Sequence, residues 1–202
     1  MFGSNVFASD GANDETPFDG SGLRLKDVKT WSELSAAELP FVTKATVKYL
    51  KAKPSRKLAS FEVGWMLKLH REMFGKVWSW AGHLREVEAT VGVSKGQIAE
   101  ALANLSADIL IWRVTEPLKD AIEIHHRAVK IHPFPNGNGR WARLLANIFL
   151  KQHDHAIVSW PDQELRRGQH PLRDRYIQCL RDADAYNLAP LIELHREFLV
   201  DL

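Results

Sequence analysis

The sequence predicts an all-α protein, a helical bundle carrying one short β-hairpin. Three observations lead there. Apolar residues recur at helical spacing along most of the chain, as at Phe61, Trp65, Met66 and Leu69, and again at Trp141, Leu144, Leu145, Ile148 and Phe149. Helix starts are written out as capping patterns, Thr30-x-x-Glu33, Ser35-x-x-Glu38 and Ser94-x-x-Gln97. Only the stretch 82–93 shows β-type alternation, with Leu84, Val87, Thr90, Val91 and Val93 between glycines, which reads as a hairpin with an unpaired, exposed edge.

Taken in order, residues 1–22 are rich in Gly, Ser, Asn and Asp and read as extended or mobile chain. The two capping patterns then open a helical segment to about Ala52, with Pro40 marking a bend and Lys53-Pro54-Ser55 a break. A helix over Leu58–Phe74 ends at Gly75, and Val77–Ala81 is an aromatic-rich connector into the hairpin. Ser94 starts a helix to about Arg113, and Thr115-Glu116-Pro117 starts one to about Ile131. After a loop, a helix covers 139–153. Ala156–Trp160 is short and apolar, Pro161-Asp162 reads as a helix start, and helices over Pro171–Ala183 and Asn187–Leu199 close the chain. There are no internal repeats and no low-complexity tracts.

The 202 residues are 45% hydrophobic and 26% charged, values of an ordinary globular domain. A formal charge of +2 gives no footprint for nucleic acid. Cys179 is the single cysteine, which rules out an intrachain disulfide and fits a reducing compartment. No secretory leader pattern and no apolar run of membrane-spanning length is seen, so a soluble, cytoplasmic protein without a membrane partner is expected.

The chemistry concentrates in His132-Pro133-Phe134-Pro135-Asn136-Gly137-Asn138-Gly139-Arg140, running on into Trp141-Ala142-Arg143. Two prolines hold the stretch out of helix, Gly137 and Gly139 leave its backbone uncovered, and Asn138 is a good N-cap for the helix that follows. The N–H groups of a helix start, at the positive end of the dipole, make an anion site. Arg140 and Arg143 share one face of the first turn. Cations are out of place there unless an anion is bound, and a guanidinium suits phosphate oxygens. His132, at the other lip, is the one group there that takes a proton near neutral pH. A phosphate cradle, two arginines and a base describe a nucleotidyl or phosphoryl transfer site.

The same stretch resembles the signature of the Fic/Doc (Fido) family, His-x-Phe-x-(Asp/Glu)-Gly-Asn-(Gly/Lys)-Arg-x-x-Arg. It matches at His132, Phe134, Gly137, Asn138, Gly139, Arg140 and Arg143, and departs at Asn136. Thr16-Pro17-Phe18-Asp19, the run Leu69–Gly82 and His125-His126-Arg127 look like the subfamily called mobile mystery protein B. The resemblance implies a Fic-type bundle, with an N-terminal extension and helix over 1–57 and a Fido domain over 58–202. It implies a protein adenylyltransferase, moving AMP from ATP to a Ser, Thr or Tyr hydroxyl of a target protein. In that reading His132 is the base, and Gly137, Asn138, Gly139, Arg140 and Arg143 hold the phosphates. Asn136 stands where the family places a carboxylate for Mg²⁺; an amide oxygen can ligate the ion but adds no charge. The hairpin would be a flap that registers the target segment by β-augmentation through Leu84, Arg85, Val87, Thr90 and Val91. The alternatives are a Doc-like phosphotransferase, whose signature carries Lys where this chain has Gly139, and a catalytically silent nucleotide-binding module.

Phe134 is expected as a wedge in the core, and Trp65, Trp78 and Trp80 as packing under the flap. His125 and His126, adjacent on a helix, face different ways and read as structural, not as metal ligands. Fic proteins are commonly restrained by a helix carrying (Ser/Thr)-x-x-x-Glu-(Gly/Asn), whose glutamate pairs with the second arginine. No Ser or Thr of this chain has that continuation. The resemblance therefore implies restraint by a separate antitoxin-like protein, as in a toxin–antitoxin pair, with Arg143 facing an open pocket.

Overall fold

In the computed structural model, residues 19–162, 164–165 and 170–201 are described. The expectations for residues 1–18, including most of Thr16–Asp19, lie outside them. Seven α-helices, one 3₁₀ turn and two two-residue strands make up the regular structure of the described residues: α1 (Trp31–Leu50), α2 (Val63–Phe74), the 3₁₀ turn Lys95–Gln97, α3 (Ile98–Ile111), α4 (Pro117–Ile131), α5 (Asn138–Gln152), β1 (Ile157–Val158), α6 (Pro171–Asp184), α7 (Ala189–Arg196) and β2 (Leu199–Val200). The fold is the all-α bundle that the periodicity indicates.

At its centre runs α5. From Trp141 to Leu150 every residue is buried, the mark of a helix enclosed on all sides. α4 packs along it, and α1 and α2 cover other faces. Polar side chains tie neighbours to this axis. Trp141 Nε1 donates to the Met66 carbonyl at 3.1 Å. The Asn147 amide donates to the Val158 carbonyl at 2.9 Å and accepts from the Val158 N–H at 3.0 Å, fixing β1. β1 pairs antiparallel with β2, Ile157 opposite Val200 and Val158 opposite Leu199, which draws the end of α7 back to the axis.

α1 starts where its capping box says. Thr30 Oγ1 accepts from the Glu33 N–H at 3.2 Å, and the Glu33 carboxylate accepts from the Thr30 N–H at 3.0 Å. The second pattern is no start. Ser35 and Glu38 sit inside α1, which continues through Pro40. Pro40 is on the exposed side, where water can reach the carbonyl that its missing N–H leaves unbonded.

Other boundaries also move. α2 begins at Val63, not Leu58, because Phe61 takes a left-handed φ of 59° and breaks any earlier helix. Ser94 Oγ bonds Gln97 Oε1 at 3.0 Å, without capping a backbone N–H, and one 3₁₀ turn (Lys95–Gln97) precedes α3. Among the described residues after Pro161, Asp162, Glu164 and Leu165 lie in turns and not in the expected helix.

The hairpin is not formed. Residues 82–93 contain no strand, and the only sheet among the described residues is β1–β2. The segment's carbonyls at Val87 and Val93 are taken by the Arg85 guanidinium instead of by a facing strand. No helix of the described residues is long and apolar enough to cross a membrane.

Candidate active site

α4 ends at Ile131, and His132 is its C-cap, in left-handed conformation with φ 50° and ψ 59°. The turn reverses the chain into Pro133–Asn136. Gly137, with φ 80°, then caps α5. A Cβ at Gly137 would lie 2.7 Å from the Phe74 ring, so both the turn and the packing require glycine.

Asn138 is the first helical residue and not the N-cap that its type suggests. Its amide closes the loop from within: Oδ1 accepts from the Phe134 N–H at 2.9 Å, and Nδ2 donates to the Phe134 carbonyl at 2.8 Å. The first bond of the α5 ladder runs from the Trp141 N–H to the Gly137 carbonyl, 3.0 Å. The N–H groups of Asn138, Gly139 and Arg140 therefore lie ahead of the ladder, at the positive end of the dipole.

Phe134 is the wedge beneath, fully buried, stacked on His70 at 3.6 Å and edge-on to Trp141 at 5.1 Å. His70 joins two segments. Its Nδ1 accepts from the Gly82 N–H at 3.0 Å, which places the proton on Nε2, and Nε2 donates to the Asn136 carbonyl at 3.0 Å. Burial lowers its pKa to about 3, so the ring stays neutral.

His132 is 5% exposed. Burial, and then the charge of Arg85, lower its pKa to about 4, against a hydrogen bond to the Val129 backbone that acts the other way. At neutral pH it is unprotonated, the form a general base requires.

The two arginines do not meet an open pocket. Arg140 Nη1 lies 2.7 Å from Glu38 Oε2, and its guanidinium lies over the Phe74 ring at 4.7 Å. Arg143 Nη2 lies 2.6 Å from Asp162 Oδ1, with Trp160 5.6 Å beneath the guanidinium. The expectation for Arg143 is thus corrected: it is buried and paired with a carboxylate of its own chain. Tyr176 also bonds Arg143, and its hydroxyl stands 3.1 Å from His125 Nε2. Burial holds His125 well below the ordinary histidine range, with the charges of His195 and Arg143 adding to it.

Asn136 is half-buried, its Oδ1 accepting the Gly137 N–H at 2.6 Å. Trp65 and Trp78 are buried in the core, and Trp80 stacks on Trp78 at 4.7 Å. His125 faces the core, whereas His126 turns to Asp184 at 3.0 Å. Among the flap residues, Val87 and Thr90 are exposed, Leu84 and Val91 half-buried, and Arg85 buried.

Sequence reasoning missed Glu38 and Asp162 as partners of the arginines. Glu38 had a signal: it continues the spacing of Leu34, Ala45 and Tyr49 on the inner face of α1, and a carboxylate on an apolar face needs a partner. Asp162 had none beyond a turn-forming Pro161.

Residues 60–150 match the family model described as Fic/DOC family. A curated relative, protein adenylyltransferase fic-1 of Caenorhabditis briggsae, is 28% identical over 134 residues, 63% of this chain and 25% of its own length. Protein adenylyltransferase Fic of Drosophila persimilis is 29% identical over 153 residues, 72% of this chain and 28% of its own. The chain thus spans about a quarter of the curated relatives it matches. Among solved structures, a Fic-1 fragment from C. elegans superposes with a TM-score of 0.68 at 22% identity, over 86% of this chain and 51% of that one. The BepC effector of Bartonella tribocorum, solved with bound AMPPNP, gives 0.65 at 18%, over 91% and 98%. These likenesses establish the fold. The family match falls on the segment, residues 60–150, that holds the loop and both arginines.

Proposed function

We propose that this chain is a protein adenylyltransferase. The observation that carries the reading is the placement of one neutral, buried histidine and a row of helix-start N–H groups at opposite lips of a single loop. ATP would lay its phosphates on the N–H groups of Asn138, Gly139 and Arg140. His132 would take the proton of a target Ser, Thr or Tyr hydroxyl. The hydroxyl oxygen then forms a bond to the α-phosphorus while the bond to the bridging α–β oxygen breaks, and pyrophosphate departs. Arg140 and Arg143 would hold its charge, after the phosphates displace Glu38 and Asp162. The two named relatives support the same activity.

Mg²⁺ enters this reading as the ion carried by the nucleotide. The loop does not fit a protein-held ion: the Asn136 oxygen is neutral and committed to the Gly137 N–H, and the carboxylates nearest the arginines are paired with them.

A Doc-like phosphotransferase is disfavoured by Gly139. That branch's signature carries lysine at this position. Because Asp162 already satisfies Arg143, a separate antitoxin-like partner is not needed to do so, and the toxin role loses that support. A cytoplasmic setting stays part of the reading, on the strength of the unbridged Cys179.

The test is labelling of a lysate with ATP carrying the label at the α- or γ-phosphate. Transfer from α alone supports adenylylation; transfer from γ alone supports the phosphotransferase; transfer from neither supports a silent nucleotide-binding module.

A further inference from the structure

Arg85, expected on a target-facing flap, is turned fully inward. Its side chain is 1% exposed, and the closest carboxylate, Glu88, stands 3.8 Å away and is itself mostly in solvent. A buried cation without a tight counter-ion is costly unless its donors are well matched. Here they are. Nε donates to the His132 carbonyl at 2.8 Å, Nη1 to the Val87 carbonyl at 2.9 Å, and Nη2 to the Val93 carbonyl. The Arg85 N–H adds a bond to the Pro133 carbonyl at 2.9 Å.

One guanidinium fork therefore closes the 85–93 loop on itself and fastens it to the peptide of His132. The loop's far end is pressed on the same residue. Gly92, with φ 103°, approaches so closely that a Cβ would lie 2.5 Å from His132 Cβ and 3.1 Å from the Ile131 carbonyl. The loop carries the exposed Val87 and Thr90 on its outer side. His132 is held in a backbone conformation that non-glycine residues rarely adopt, so something must hold it there.

We infer that Arg85 is a positioning residue: it clamps the 85–93 loop to the carbonyl of His132 and so sets where an incoming target segment lies relative to the base. The inference rests on the adenylyltransferase reading for the identity of the base, and not for the clamp itself. Arg85 makes no contact with Gly137–Arg143 in the structure's hydrogen bonds or ion pairs, so nucleotide binding should not depend on it.

The test compares the full chain with Arg85→Lys, which keeps the charge but cannot reach three carbonyls from one ammonium. Amide hydrogen exchange over 86–93 and 132–136, calorimetric ATP affinity, and transfer of α-label into lysate protein are read together. The expected result is exchange at least about tenfold faster over both segments. ATP affinity should stay within about twofold, and transfer should fall on the order of 10²-fold, as misplacement of a reacting group does. Wild-type exchange in Arg85→Lys, or a loss of transfer matched by an equal loss of ATP affinity, would overturn the clamp. If Arg85→Lys does not fold, Gly92→Ala serves, since its Cβ would crowd both His132 and, at 3.2 Å, Arg85 Nη2, and so pushes the loop off the clamp. The same faster exchange with ATP binding retained is expected, and unchanged exchange and transfer would overturn the inference. A wild-type chain that transfers no label would count against the adenylyltransferase reading alone, and the exchange measurements would still decide the clamp.

Discussion

Glu38 Oε2 stands 2.7 Å from Arg140 Nη1, so a helix far from the signature in sequence supplies the anion paired with the signature's first arginine. Glu38 is 2% exposed, and its other oxygen accepts Trp78 Nε1–H at 2.6 Å. The carboxylate is thus fixed from two sides, and in the proposed function a nucleotide phosphate would compete with it for Arg140.

Glu38→Gln keeps an acceptor for the Trp78 indole and removes the charge. Stability should fall by about 1–3 kcal/mol, the range for a lost charge-assisted bond, while ATP binds more tightly. Thermal melting and calorimetry check both. Unchanged ATP affinity would remove Arg140 from the list of phosphate ligands.

Asp162→Asn makes the matching change at Arg143. Asp162 is 45% exposed at its side chain, so the loss of stability should stay within about 1 kcal/mol. ATP affinity should rise here too. Equal affinity for ATP and AMP in the variant would show that Arg143 does not reach the outer phosphates.

Asn136→Asp retains an acceptor for the Gly137 N–H and adds charge beside the phosphate cradle. The Mg²⁺ concentration that gives half-maximal transfer should drop. A Mg²⁺ titration with an identical midpoint in both proteins would place residue 136 away from the ion.

Acid should weaken the fold. His70, His125, His132 and His195 are all held below the ordinary histidine value, chiefly by burial. Between about pH 6.5 and 3 the unfolded chain therefore binds more protons than the folded one. Stability present above 6.5 is lost as pH falls through that window. Melting temperatures should be flat from pH 8 to 7 and decline steadily below 6. A melting temperature unchanged down to pH 4 would mean that these rings are not buried neutral.

The features legible in the sequence are those built by neighbours along the chain. The Thr30 capping box, the Pro117 helix start, and the loop between His132 and Arg143 depend on local geometry, and each forms where the residues indicate. What was not legible depends on partners far away. Ser35-x-x-Glu38 has the form of a capping box, but the inner face of α1 claims Glu38 for Arg140, about a hundred residues on. The alternation of 82–93 looks like a hairpin, but the buried Arg85 guanidinium takes the Val87 and Val93 carbonyls and no strand forms there. Asp162 looks like a helix start because nothing in its neighbours announces Arg143. Periodicity reports which face is buried, and not what a charge on that face will meet.

In the proposed function His132 takes the proton from the attacking hydroxyl. The most direct test of this role is transfer of α-label by His132→Ala under ATP saturation, with ATP affinity measured on the same preparation. Loss of about 10²–10⁴-fold in transfer is expected, the range for a general base, with ATP still bound on the α5 start. Transfer at the wild-type rate with ATP bound would contradict the account.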